Sequence, residues 1–307
     1  MKDNTVQVLK SRLRRALVAN DLAAADAVMD ELSGVMTWAH VTSVHDIPLV
    51  AAPPSLDAQP PAGFVFVSGA PRSGTTALGR LLNSHPDIGM FTEFYSERFG
   101  YSPEMFSPAY IAELYARGLL PTLNKHKNES VLAEMGGFRI VGDKRPNFMY
   151  SAQLTLKRFA GHRVSIVHIV RDPYAVAHSY LQRARDNTWS ESRDHKVAAD
   201  EINKNTLLAL ALLESERDPQ HQVLIVDYDE LWQSRETIVG LFSALGLSGE
   251  ELDVEGLDNV LKNALAVARK PREFSSAETE YLEQNLDLAG LERLMERKLE
   301  LLHGAPG

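Results

Sequence analysis

The stretch "FVFVSGAPRSGTT", residues 64–76, decides the fold. Its first five residues form an apolar, strand-like run, a loop with two glycines follows, and Thr75 and Thr76 begin a helical pattern. A strand, a glycine-containing loop and a helix in this order are typical of a phosphate-binding loop, because backbone N–H groups and the helix N-terminus attract anions. The usual pattern has a lysine where this chain has Thr75, and Arg72 lies inside the loop instead. The loop therefore predicts a phosphate-like ligand that does not need that lysine.

The predicted anion-binding loop contributes two kinds of groups. Glycines expose backbone N–H groups and let an anion approach closely, and hydroxyl groups add hydrogen bonds. The residues that we expect to contact the ligand are Gly69, Arg72, Ser73, Gly74, Thr75 and Thr76.

Beyond this loop, short β-like runs alternate with helical stretches. The predicted strands are 64–68, 88–92, 138–142, 164–170 and 222–226. The predicted helices are 75–84, 109–117, 151–159, 174–185, 200–215, 230–245 and two or three after residue 255. This alternation predicts an α/β fold with a central parallel sheet flanked by helices, a three-layer sandwich like that of P-loop NTPases.

Charged side chains follow most of the predicted strands. Glu93 follows the second strand, Lys144 the third, Arg171 the fourth and Asp227 the fifth. Because ligands of parallel sheets bind at the carboxyl ends of the strands, we expect these groups to share one site. Asp227 is placed like the magnesium-holding aspartate of NTPases, but without the loop lysine we favour a structural role for it.

Composition excludes several classes of function. The 307-residue chain has a net charge of −9 and no long basic run, which argues against general nucleic-acid binding. It has no cysteine, so disulfides, thiolate zinc sites and cysteine nucleophiles are excluded. Without a His-Glu-x-x-His pattern, we expect no metal site. Since no apolar run is long enough to cross a bilayer and no signal sequence is evident, we expect a cytoplasmic protein without an integral membrane segment.

The chain divides into three segments. Residues 1–47 carry apolar stripes at helical spacing and predict a helical hairpin, which packs on the main domain or on a second copy in a homodimer. Residues 48–63 hold five prolines and predict a linker. Residues 64–307 then form the α/β domain.

Two further motifs carry a family resemblance. The loop stretch resembles the 5′-phosphosulfate loop of sulfotransferases that use 3′-phosphoadenosine 5′-phosphosulfate (PAPS). The segment "IVRDPYAVAHSYL", residues 169–181, resembles their 3′-phosphate motif, with Arg171 and Ser179 in the matching positions. The segment 227–247 is similar to a later part of the family that contains a tyrosine, here Tyr228. The resemblance covers about residues 64–247 and, in motif style, is closest to tyrosylprotein, Golgi-type and bacterial sulfotransferases.

The resemblance implies roles for individual residues. Glu93 is the implied base that takes the proton of the acceptor hydroxyl, with Glu97 and His85 as alternatives. Lys144, in "GDKRPNF", is implied to stabilise charge on the transferred group, and Arg72 on the bridging oxygen.

The resemblance also implies further contacts with the nucleotide. Arg171 and Ser179 are implied to bind the 3′-phosphate. Tyr228 and Lys270, or its neighbour Arg269, are candidate nucleotide contacts; the alternatives are a packed tyrosine and a solvated basic loop.

The leading hypothesis is a metal-independent sulfotransferase that moves a sulfuryl group from PAPS to a hydroxyl of a carbohydrate, a glycolipid or a small metabolite. A P-loop nucleotide kinase is the first alternative, and it predicts magnesium-dependent affinity for ATP. A non-catalytic nucleotide-binding scaffold is the second, and it predicts PAPS binding without transfer.

Overall fold

The computed structural model describes residue 12 and residues 61–95, 100–117, 125–186, 194–215, 217–233, 235–248 and 273–303. The predicted helical hairpin and the proline-rich linker lie almost entirely outside these residues.

The centre of the molecule is a five-stranded, all-parallel sheet. Its strands are β1 (Gly63–Ser68), β2 (Ile88–Thr92), β3 (Ile140–Lys144), β4 (Val164–Val170) and β5 (His221–Asp227). The order across the sheet is β2-β3-β1-β4-β5. The connection that leaves β1 leads to the β2 side of the sheet, whereas the connection that leaves β4 leads to β5. Chain direction across the sheet therefore changes between β1 and β4, where parallel sheets form their ligand crevice.

Helices cover both faces of the sheet. In chain order they are α1 (Thr75–Leu82), α2 (Pro108–Ala116), α3 (Lys125–Ala133), α4 (Ala152–Arg158), α5 (Pro173–Arg185), α6 (His195–Glu214), α7 (Tyr228–Gln233), α8 (Arg235–Ala244), α9 (Ser276–Asn285) and α10 (Leu288–His303). Short 3₁₀ helices span Pro103–Phe106 and Phe148–Ser151. This confirms the predicted α/β sandwich.

The two faces of the sheet bury different kinds of side chains. One face packs Phe64 and Phe66 of β1 into an aromatic cluster beneath α4 and α6. The other face packs Val65 and Val67 against α1, α7 and α8. Because a strand buried on both faces is mostly apolar at successive positions, β1 appears in the sequence as a continuous hydrophobic run. β4 is a similar run interrupted by the buried side chains of Ser165 and His168.

Local sequence signals explain where the helices near the site begin. The side chain of Asp172 accepts a hydrogen bond from the Tyr174 N–H at 2.8 Å, and Pro173 occupies the first turn of α5. Asp194 caps α6 in the same way, accepting from the Lys196 N–H at 2.9 Å. The cap sets the start of α5 directly after β4, so Arg171 is held between the strand end and the helix.

Several predicted boundaries were wrong. The third strand is Ile140–Lys144 and not 138–142, so Lys144 ends the strand instead of following it. Helix α6 begins at His195, five residues before the predicted start, and the predicted helix 230–245 is two helices, α7 and α8. Helix α3 was not predicted.

Among the described residues, no helix combines the length and the apolar character that a bilayer crossing requires.

Candidate active site

The loop between β1 and α1 requires glycine at two positions. Gly69 has a φ of 153°, and a Cβ there would lie 2.5 Å from the Ser73 Oγ and 2.6 Å from the Ile169 carbonyl oxygen. Gly74 has a φ of 105°, and a Cβ there would lie 2.4 Å from the ring of Tyr228. L-residues rarely adopt such angles, and neither position has room for a side chain. The loop is therefore pressed closely against the ends of β4 and β5.

Two features of the loop suit an anion. Helix α1 begins without a side-chain cap, so its first N–H groups have no side-chain acceptor. Ser73 is buried, and among the described residues its Oγ is one of the few buried side-chain atoms without a hydrogen-bond partner. A buried hydroxyl without a partner is costly, and a bound anion at the helix N-terminus would satisfy it.

The expected cations of the loop and of β4 come together. Arg72, with a φ of 74°, donates from its Nε to the Oγ of Ser179 on α5 at 2.9 Å. The Nη1 of Arg171 donates to the backbone oxygen of Arg72 at 3.4 Å, and the Arg171 guanidinium lies 4.3 Å from the centre of the Tyr228 ring. Burial lowers the pKa of Arg72, and the positive charges of Arg183 and Arg171 lower it further. Three guanidinium groups at one place favour binding of a multiply charged anion.

Glu93 and Lys144 form an ion pair at the ends of β2 and β3. Lys144 pairs in register with Thr92 of β2 and Val67 of β1, so it lies at the carboxyl edge between these two strands. Its Nζ is 2.5 Å from the Glu93 Oε1, and its side chain is buried whereas that of Glu93 is 33% exposed. The Glu93 carboxylate is therefore bound to a buried cation on one side and open to solvent on the other.

Sequence reasoning missed two residues of the site. Arg183 lies four residues after Ser179 on α5, one helical turn on, and this spacing alone places both on one face. Asp143 is buried on β3 next to Lys144 and accepts hydrogen bonds from the segment that follows Glu93. The available signal was a charged residue directly after the predicted strand 138–142 and next to Lys144.

The structure places the remaining candidates as follows. His85 precedes β2 at the opposite edge of the sheet, where its Nε2 is 3.1 Å from the Ser248 backbone oxygen. Asp227 accepts from the Glu230 N–H at 2.9 Å and caps α7, which agrees with the structural role favoured for it. Glu97, Arg269 and Lys270 lie outside the described residues. In the part of the chain that the structure describes, no cluster of His, Asp and Glu has the arrangement of a metal site.

The fold and the loop define a P-loop-like α/β protein with a candidate anion site at the carboxyl edge of its sheet. Residues 65–251 match the model of the sulfotransferase family. Since the match covers more than half of the 307 residues, the chain belongs to the sulfotransferase family and is a sulfotransferase enzyme. This confirms the resemblance found in the sequence.

The solved structures to which this chain is similar include several sulfotransferases. The sulfotransferase domain of the Synechococcus PCC 7002 olefin synthase is 18% identical over 80% of this chain and 97% of that one, with a TM-score of 0.43. A sulfotransferase from Alicyclobacillus acidocaldarius is 18% identical over 80% and 97%, with a TM-score of 0.45. A mouse sulfotransferase, SULT7A1 complexed with PAP, is 16% identical over 66% and 64%, with a TM-score of 0.37. Comparison with curated proteins gives no match.

Proposed function

We propose that this sulfotransferase moves a sulfuryl group from PAPS to an acceptor hydroxyl by direct in-line displacement. The observation that carries the proposal is the meeting of Arg72, Arg171 and Arg183 beside a loop whose buried Ser73 hydroxyl has no partner among the described residues. Like charges repel, so such a cluster is stable chiefly when an anion with more than one charge binds to it.

PAPS fits this site because its two anionic ends are far apart on one molecule. The 5′-phosphosulfate end is assigned to the loop residues Gly69, Arg72, Ser73, Gly74, Thr75 and Thr76. The 3′-phosphate is assigned to Arg171, Ser179 and Arg183, which offer guanidinium groups and a hydroxyl on adjoining elements. Tyr228, packed against Gly74 and Arg171, borders the nucleotide, and Lys270 is kept as a further 3′-phosphate contact.

The transfer itself needs a base and cations. Glu93 accepts the acceptor proton while the acceptor oxygen forms a bond to sulfur, and the bond from sulfur to the 5′-phosphate oxygen breaks. Lys144 and Arg72 stabilise the charge that develops on the sulfuryl group and the leaving oxygen. The sulfuryl group carries less negative charge than a phosphoryl group, so we propose that these cations suffice and that no metal takes part.

The acceptor belongs to the small molecules and glycans: a carbohydrate, a glycolipid or a small metabolite with a free hydroxyl. The cytoplasmic location and the absence of nucleic-acid partners stay predictions.

A homodimer through residues 1–47 is tested by comparing the sedimentation of the intact chain with that of a chain without residues 1–50. A fall from dimer to monomer on truncation supports it, and an unchanged mass contradicts it.

The function is tested with sulfur-labelled PAPS, a panel of hydroxyl acceptors and a metal chelator. We expect labelled product, or labelled sulfate when water replaces the acceptor, at a rate that the chelator does not change. Turnover of Mg·ATP in place of PAPS would support the kinase alternative. Binding of PAPS without transfer to any acceptor or to water would support the scaffold.

A further inference from the structure

Asp143 is a buried carboxylate that borders the ion pair of the site. It lies on β3 directly before Lys144, and because side chains alternate along a strand, the two point to opposite faces of the sheet. Lys144 packs near Gly79 of α1, whereas Asp143 points into the aromatic cluster on the other face and accepts a hydrogen bond from the Tyr101 hydroxyl at 3.0 Å. Asp143 therefore lies outside the proposed anion site. It is connected to that site only through Lys144, its neighbour on β3, and through the turn that contains Glu93.

The other two donors to Asp143 are the backbone N–H groups that follow Glu93. The N–H groups of Phe94 and Tyr95 lie 3.3 Å from its Oδ1 and Oδ2 respectively. The N–H of Glu93 itself donates to the backbone oxygen of Lys144 at 2.9 Å. Three successive N–H groups of one turn are thus fixed to two successive residues of β3.

This turn requires such fixing because Glu93 has a φ of 50°. A residue with a side chain adopts the left-handed region at a cost, and it stays there only where the surroundings hold it. The same geometry brings the Glu93 carboxylate within 2.5 Å of the Lys144 Nζ. If the turn relaxed, the side chain of Glu93 would leave the ion pair.

The charge of Asp143 suits this task. Burial raises its pKa to about 6, while the N–H groups of Tyr95 and Phe94, the Tyr101 hydroxyl and the charge of Lys144 lower it. At neutral pH the group is therefore ionised, and a carboxylate accepts from all three donors at once, which a neutral amide or an apolar side chain cannot do. A buried charge is costly to keep, so its retention here calls for a role.

We propose that Asp143 is a positioning residue of the transfer reaction, whose carboxylate holds the turn at 93–95 and so presents Glu93 to Lys144 and to the acceptor. This proposal rests on the proposed function, in which Glu93 is the base. It adds a residue that acts from the opposite face of the sheet without contact with either substrate.

The test is Asp143→Asn in the full chain, because asparagine keeps the shape but directs its NH₂ group at one of the N–H donors. Crystals of the variant report the φ of Glu93 and the separation of Glu93 and Lys144. Release of sulfate from PAPS reports the reaction with water as acceptor: an oxygen–sulfur bond forms, the sulfur bond to the 5′-phosphate breaks, and Glu93 takes the proton. Calorimetry with 3′-phosphoadenosine 5′-phosphate (PAP) reports the donor site.

We expect the turn to leave the left-handed region, the ion pair to separate, and the rate to fall between about 10-fold and about 100-fold, since a misplacement of about 1 Å can cost this much. PAP affinity should stay within about 2-fold. An Asn83→Ala control removes a comparable bond, to the Met90 N–H of β2 at 2.7 Å, and should lower stability without changing the rate. If Asp143→Asn does not fold, Tyr101→Phe removes the hydroxyl that donates to Asp143 and should slow the reaction by about 2-fold to 5-fold.

Two outcomes overturn the proposal. One is an unmoved turn, with Glu93 still on Lys144. The other is a displaced turn with an unchanged rate, provided that Glu93→Gln abolishes the reaction. If Glu93→Gln also keeps the full rate, the base assignment fails instead, and the error lies in the proposed function. In Tyr101→Phe, an unchanged rate likewise counts against the proposal.

Discussion

At the scale of single residues, Glu93 is the more exposed member of its ion pair with Lys144 at the sheet edge. Glu93→Gln keeps the shape and the ability to accept from Lys144 but removes the ability to take a proton. We expect turnover to fall by about 100-fold or more, the usual range for loss of a general base. The affinity for PAP should stay within about 2-fold, because the proposed 3′-phosphate residues are on α5 and in the short segment between β4 and α5.

Labelled-sulfate release and calorimetry on the same preparation measure both quantities. Glu113→Gln is the matched control, since Glu113 pairs with Arg117 on the exposed side of α2, and it should change neither quantity. Loss of PAP binding in Glu93→Gln without a separate loss of rate would show that the carboxylate supports the donor site and is not the base.

Residue types at strand ends were predictable from the sequence because the carboxyl ends of parallel strands share one edge. The contacts of Asp143 and Arg183 were not. The contacts of Asp143 join segments more than 40 positions apart, such as Tyr101 and Asp143, separated by 42 residues, and no local pattern encodes them. Arg72 illustrates the same limit: its place in the loop was evident, whereas its hydrogen bond to Ser179, 107 residues away, depends on how α5 packs.

At the scale of elements, the anion-binding loop depends on contact between Gly74 and the ring of Tyr228. Gly74→Ala places a methyl group 2.4 Å from ring atoms at a φ of 105°, so either the loop or α7 must move. We expect a loss of about 2 kcal/mol or more in the free energy of unfolding. PAP affinity should fall by at least about 10-fold.

Gly161→Ala is the matched control for this change. Gly161 has a φ of 80° but no atom within 4 Å of an added Cβ, so it reports the backbone cost alone, about 1 kcal/mol. Urea unfolding of both variants, with calorimetry, separates the two costs. Equal losses in the two variants, with PAP binding intact in Gly74→Ala, would mean that the contact with Tyr228 does not shape the loop.

Element types were predicted well and element ends poorly. Apolar runs identified all five strands, because β1, β3 and β4 are buried along their whole length and β2 and β5 over most of theirs. The end of β3 was misplaced because Asp143 and Lys144 are charged, and the sequence cannot show that pairing with β1 and β2 on either side extends the strand to them. Helix α3 has no clear apolar stripe and gave no pattern to read.

At the scale of the whole molecule, two buried groups give the stability opposite dependences on pH. The pKa of Asp143 is raised by burial from 3.8 to about 6, so the folded state binds the proton more tightly and this contribution is lost as the pH rises through 6. The pKa of His168 is lowered by burial from 6.5 to about 4, so the unfolded state binds the proton more tightly and stability is lost as the pH falls from 6.5 to 4. Each contribution is about 3 kcal/mol.

Replacing either group should isolate the pH dependence that this group contributes to the stability. In His168→Gln, the free energy of unfolding relative to the wild type should increase as the pH falls from 6.5 to 4. In Asp143→Asn, it should increase, again relative to the wild type, as the pH rises from 3.8 to 6. Urea titrations at a series of pH values measure both differences. The contributions of all other titratable groups cancel because the wild type and the variant share them. Parallel curves for wild type and variant would contradict the account of that group.

The central claim is that the edge of the sheet binds the two-ended anion PAPS and not Mg·ATP. The most direct measurement is calorimetric binding of PAP, without metal, to the wild type and to Arg171→Ala, with Mg·ATP as the competing ligand. Arg139→Ala, which removes an exposed guanidinium paired with Asp87 at the opposite edge, is the control.

We expect metal-independent PAP binding to the wild type and to the control, weakened at least about 10-fold in Arg171→Ala, as for loss of a hydrogen bond to a charged group. A preference for Mg·ATP, or PAP affinity that does not depend on Arg171, would contradict the claim that the sheet edge binds PAPS.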